Sequence, residues 1–167
     1  MGARTADDHR AAMLQALDLA KNSPPKPSNF CVGAILVRLD DHGIAASGYT
    51  LECPGNTHAE ECCLLKLAAQ HSTTEEGLAG VMKSPHALYT TMEPCFKRLS
   101  GKMSCVDRIR RQSAWIKEVY IGVCEPETFV GQNPGRQMLE EDGIHVHHVL
   151  SLEEAILAVA TAGHISS

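Results

Sequence analysis

The chain has 167 residues, 44% hydrophobic and 21% charged, a size and composition that suit one soluble domain with a single core. Its net charge of −5 disfavours a nucleic-acid surface, which normally shows as a basic face. Seven cysteines form no even framework, no apolar run approaches ~20 residues, and Met1–Arg10 carries no apolar signal core. A reduced, cytoplasmic protein without membrane or nucleic-acid partners is therefore expected.

Residues 7–21 predict an amphipathic helix, with Met13, Leu14 and Leu17 at helical spacing and Asp7 and Asp8 near its start. Pro24, Pro25 and Pro27 end it. The run Phe30–Val37 reads as a strand covered on both faces, and Gly33 within it marks a close approach. The turn Asp40-Asp41-His42-Gly43 leads to a second strand, Ile44–Tyr49, closing a hairpin.

A helix is expected from about His58 to His71, with Thr57 as N-cap and Glu60 and Glu61 in its first turn. A polar insert, 72–82, precedes a third strand, His86–Met92. Further elements follow as a helix over 105–112, a strand over 116–124, a helix over 134–141 and a strand over 144–150. A last helix runs to Ala160, with Ser151 as its cap and Glu154 at the capping-box position. The order α-β-β-α-β-α-β-α-β-α implies a three-layer α/β/α domain over 1–167 with a mixed five-stranded sheet. No GxGxxG or GxxxxGK motif points to a dinucleotide or a P-loop.

Chemistry concentrates in Thr57-His58-Ala59-Glu60, Glu93-Pro94-Cys95 and Cys105. A His, a Glu two residues later and a Pro-Cys pair outline a zinc deaminase site. His58, Cys95 and Cys105 would be the three protein ligands of one Zn²⁺, leaving a position open to water. Zinc lowers the pKa of that water from ~15.7 to about 7, on the order of 12 kcal/mol of help in ionising it. Glu60 would move protons rather than bind metal. The usual signature has two residues between its cysteines; here nine intervene. Cys62, four residues after His58, is the competing ligand. Cys31, Cys53, Cys63 and Cys124 read as small buried residues. His145, His147 and His148 read as non-ligating, and Arg108, Arg110 and Arg111 as a solvated helix face.

The loop Phe96–Ser104 carries three cations, a glycine and two hydroxyls, a composition that suits a phosphate. The bland alternative is a solvated basic loop.

These motifs resemble the cytidine deaminase-like superfamily and, within it, the fungal-type pyrimidine deaminases of riboflavin biosynthesis. The resemblance rests on Asn29-Phe30-Cys31-Val32-Gly33-Ala34, on Gly55–Glu60 and on Tyr89–Cys95. It also rests on Arg98-Leu99-Ser100-Gly101 with the late Cys105, and on Gly135-Arg136 with Leu139-Glu140. It implies hydrolysis of the ring 2-amino group of 2,5-diamino-6-ribitylamino-4(3H)-pyrimidinone 5′-phosphate. It implies a zinc enzyme acting on a phosphorylated pyrimidine, as a homodimer. Asn29 and Ala59 are then expected at the substrate, Arg98, Ser100 and Gly101 at its phosphate, and Glu52 at the ribityl chain. A substrate with closed ribose, another nucleotide such as dCMP, or a tRNA base are enzyme alternatives. A zinc-binding interaction domain is the non-enzymatic one, disfavoured because a closed four-ligand site would need no Glu60.

Overall fold

The computed structural model describes residues 2–125 and 133–165. Among these, one five-stranded sheet of order β2-β1-β3-β4-β5 carries helices on both faces. The strands are β1 (Gly33–Arg38), β2 (Ile44–Tyr49), β3 (His86–Met92), β4 (Ile116–Val123) and β5 (His145–His148). β1 pairs antiparallel with β2 and β3, while β3, β4 and β5 run parallel, so the sheet is mixed as expected. No described helix is long and apolar enough to cross a membrane.

The period-2 alternation of β1 builds two cores. Ala34 and Leu36 face α2 (Ala59–Gln70), α4 (Cys105–Arg110) and α5 (Gly135–Glu141), meeting Leu64, Ile109 and Leu139. Ile35 and Val37 face α1 (Ala6–Ala20) and α6 (Glu153–Ala160), meeting Met13, Leu17 and Ile156. A strand sandwiched this way has no polar side, which is why Phe30–Val37 is a continuous apolar run.

The element boundaries differ in instructive places. Thr5 caps α1, its hydroxyl accepting the Asp8 N–H while Asp8 accepts from the Thr5 backbone, a capping box one turn before the apolar stripe begins. Ser151 does not cap α6: its φ is +74°, and Leu152 is the N-cap. The polar insert holds a single turn, α3 (Leu78–Val81), anchored by the buried Leu78. β5 is shorter than expected, running only from His145 to His148, although the Val149 N–H still donates to the Ile121 carbonyl at 2.9 Å.

Gly33 has no room for a side chain. A Cβ there would stand 1.8 Å from the carbonyl oxygen of Ala16 in α1, so helix and strand touch backbone to backbone. Gly33→Ala is expected to cost at least ~2 kcal/mol of stability, since neither backbone can step aside alone. A chemical-denaturation midpoint equal to wild type would show that α1 yields freely.

Candidate active site

The parallel pair β3–β4 ends at a loop, and two helices begin beside it. β3 delivers Glu93-Pro94-Cys95, α2 starts just after His58, and α4 starts at Cys105. His58 itself is the N-cap of α2, in extended conformation with φ −92° and ψ 161°; the expected cap, Thr57, instead donates its hydroxyl to the Cys53 carbonyl at 2.8 Å. That end-on placement lets His58 and Glu60, two residues apart, reach one pocket. Ser104 caps α4 by accepting the Asp107 N–H at 3.1 Å, which orients Cys105 at the helix start.

His58, Cys95 and Cys105 come together, with their ligand atoms all within 4.8 Å of one another. His58 Nδ1 lies 3.6 Å from Cys95 Sγ and 3.4 Å from Cys105 Sγ. The Cys105 N–H also points at Cys95 Sγ, at 3.4 Å. Cys62 is elsewhere: its sulfur accepts the Cys53 N–H at 3.4 Å, on the loop before α2.

The electrostatics fit a cation. A hydrogen bond from Cys105 pulls the Cys95 thiol down to about 4, with His58 assisting against burial. The same bond, with burial, pushes Cys105 up. A divalent metal would bind both sulfurs as thiolates. Burial works against the His58 imidazolium, but Cys95 and Glu60 outweigh it and raise its pKa. One imidazole and two thiolates, closed on the protein side and open to a pocket, suit a three-ligand zinc site.

Glu60 is buried beside this cluster and is not part of it. Its Oε1 lies 3.0 Å from Thr90 Oγ1, and Cys105 Sγ approaches Oε2 at 3.5 Å. Burial raises its pKa, opposed by His58 and by the Thr90 bond.

A cavity of about 110 Å³ opens over the cluster. A void of about 150 Å³ accepts a benzene ring, so this smaller one has room for no more than a single ring. His58, Glu60 and Cys95 form its floor, and Asn29, Asn56, Thr50, Glu93 and Glu125 supply polar walls. Phe30, Val32 and Met92 supply apolar ones. Asn29, expected at the substrate, is thus one of the residues lining the cavity.

Other expected contacts lie elsewhere. Ala59 is buried beneath the first turn of α2, where Gly48 packs against it: a Cβ on Gly48 would stand 2.4 Å from the Ala59 oxygen. Glu52 pairs with Lys66 at 2.9 Å and does not line the cavity. Ser100 and Gly101 are exposed on the loop. Arg98 turns inward, its Nη1 3.0 Å from Glu61 Oε1 and its Nη2 on the Asn56 carbonyl.

Arg108 is not a solvated residue either; it pairs with Glu61 at 2.8 Å and with Glu75. Among the cysteines read as buried, Cys53 is half-buried and Cys124 exposed. His148 Nε2 meets the Gly122 carbonyl at 2.8 Å.

Sequence reasoning missed Thr90, Asn56 and Glu125. Thr90 had no distinguishing signal, because Thr91 beside it is an equally buried threonine of the same strand. Glu125 had none either. It sits just past β4 and takes a hydrogen bond from Asn133 at 3.0 Å. Burial and the nearby Cys95 and Glu93 push its pKa up to about 7.

Known proteins bear on the same residues. Residues 6–123 match the family described as the cytidine and deoxycytidylate deaminase zinc-binding region. A diaminohydroxyphosphoribosylamino-pyrimidine deaminase of Schizosaccharomyces pombe is 41% identical over 157 residues, 94% of this chain. The match spans only 36% of that relative's length. The Rib2 deaminase of Aspergillus oryzae, solved as a C-terminal deletion mutant, superposes with a TM-score of 0.84 at 45% identity, covering 93% of this chain and 92% of that one. The same protein has been solved in complex with DARIPP. A bifunctional deaminase/reductase of Thermotoga maritima superposes with a TM-score of 0.72 at 27% identity, over 95% of this chain and 40% of that one. With the His58, Cys95 and Cys105 cluster and the buried Glu60 assembled at the end of β3, this chain belongs to the cytidine and deoxycytidylate deaminase zinc-binding family.

Proposed function

We propose that the protein hydrolyses the 2-amino group of 2,5-diamino-6-ribitylamino-4(3H)-pyrimidinone 5′-phosphate, giving the 2,4-dione and ammonia in riboflavin biosynthesis. The observation that carries this is the wide Cys95–Cys105 spacing closing on His58 beside a cavity of about 110 Å³. The likeness to fungal riboflavin-pathway deaminases over nearly the whole chain supports it.

When bound, zinc supplies a nucleophile from water at neutral pH. His58, Cys95 and Cys105 would hold the metal, which would supply that nucleophile beside Glu60 at the cavity. Glu60 takes one proton from the water and delivers it to the ring nitrogen next to the reacting carbon. A C–O bond forms at that carbon and the C–N bond to the amino group breaks. Glu60 passes the second proton to the departing amine, which leaves as ammonia. Thr90 holds the Glu60 carboxylate toward the ring throughout. Asn29 and Asn56, which line the same cavity, would hydrogen-bond the ring edge.

The phosphoribityl chain is too long for the cavity and must run out over the Phe96–Ser104 loop. Ser100, Gly101 and Lys102 are proposed at the phosphate. Lys102 crosses to the Asn56 carbonyl at 3.3 Å, which places its charge at the cavity rim. Arg98 contributes by fixing the loop. A cytoplasmic homodimer belongs to the same reading, and sedimentation velocity checks the dimer.

The test is a side-by-side assay of ammonia release from the ribitylamino pyrimidine phosphate, its closed-ribose counterpart, dCMP and cytidine. Turnover of the first by a wide margin is expected. Turnover of dCMP alone would replace this reading with a nucleotide deaminase. Lys102→Ala is further expected to raise KM for the phosphorylated substrate about tenfold or more, the scale of one charge-assisted contact. An equal rise for the dephosphorylated compound would remove the phosphate role.

A further inference from the structure

Three charged residues stand three positions after the three zinc ligands: Glu61 after His58, Arg98 after Cys95 and Arg108 after Cys105. They meet on one carboxylate. Glu61 Oε1 lies 3.2 Å from the His58 N–H nitrogen and 3.0 Å from Arg98 Nη1, and Glu61 Oε2 lies 2.8 Å from Arg108 Nη2. Arg98 also donates to the Asn56 carbonyl, so its guanidinium straddles His58, tying the chain on both sides of it. Arg108 continues to Glu75. The Arg98 and Glu61 side chains are 3% and 7% exposed.

We infer that Glu61, Arg98 and Arg108 are positioning residues of the metal centre, a buried clamp that sets the spacing of His58 from Cys95 and Cys105. The ligands come from three separate segments: the start of α2, the loop after β3 and the start of α4. The wide cysteine spacing leaves the nine-residue loop without a short turn to fix its course, so something else must hold it. Burial alone would raise the Glu61 pKa, but the His58 N–H and the two guanidiniums outweigh it and hold it down. A planar guanidinium with two donors in fixed directions defines a distance, which a point-charged Lys does not. Outer partners of this kind orient ligands and tune the metal. The clamp depends on the zinc centre and not on which pyrimidine is the substrate, so failure of the substrate reading leaves its test intact.

The test uses Arg98→Lys and the double variant Glu61→Gln/Arg98→Met. Zinc Kd is measured by chelator competition, the absorption bands of the cobalt-substituted protein report ligand geometry, and thermal melting of the metal-free protein reports the fold. Arg98→Lys keeps the charge and loses the fork. It is expected to fold and to bind zinc about 10–100-fold more weakly, with shifted cobalt bands. The double variant removes the buried charge pair and leaves Arg108 to Glu75. If the residues served only to balance charge, it would recover both the fold and the metal affinity. The clamp predicts that it recovers the fold and stays about tenfold or more weaker for zinc. Wild-type Kd and cobalt bands in either of these two variants would overturn the inference.

Discussion

Glu60→Gln is expected to lower turnover by about 10²–10⁴-fold while the protein keeps one zinc per chain. The carboxylate is buried, so its proton traffic runs only toward the cavity and the metal ligands. An amide has the same size and can keep a hydrogen bond to Thr90, but it cannot accept a proton from water. Because Glu60 is outside the ligand set, metal content is the control that separates lost chemistry from a lost site. KM should change little, since the ring is held by other walls. A variant that releases ammonia at the wild-type rate would remove Glu60 from the mechanism. One that loses zinc as well would place it among the ligands.

Legibility in the sequence followed the range of the interactions. β2 and β3 were found to the residue, because turn residues bound them and their own composition marks them as strands. His58, Glu60 and Cys95 were legible because two short motifs fix them relative to helix and strand ends. The clamp was not. Glu61, Arg98, Arg108 and Glu75 pair across separate segments, and a charged residue on a helix reads as solvated whether or not a partner waits across the fold. Arg98 shows the limit from the other side. A basic, glycine-containing loop beside a metal predicts a phosphate ligand, yet this arginine is turned inward onto the buried Glu61 carboxylate. Glu125 lies past β4, and nothing in its local sequence ties it to the cavity that it lines. Ser151 carries a capping pattern, but the chain leaves β5 in a left-handed turn that puts Leu152 at the cap instead.

Cys105→Ser is expected to weaken zinc binding by at least ~100-fold, beyond the 10–100-fold that loss of an outer partner costs, whereas Cys62→Ser should leave metal content unchanged. The backbone at His58 favours Cys105 over Cys62. Two side chains four apart share a helix face only if both residues are helical. His58 is the N-cap and extended, so its imidazole swings out of that register toward β3, while Cys62 stays on the helix and turns to the Cys53 N–H. Cys105 reaches the imidazole from the start of a different helix, at 3.4 Å. A serine there supplies a neutral hydroxyl in place of a thiolate, and the remaining His58 and Cys95 make only a two-point site. Zinc analysis after dialysis reads both variants directly. Metal lost from Cys62→Ser and kept in Cys105→Ser would mean that α2 begins a turn earlier, with His58 inside the helix.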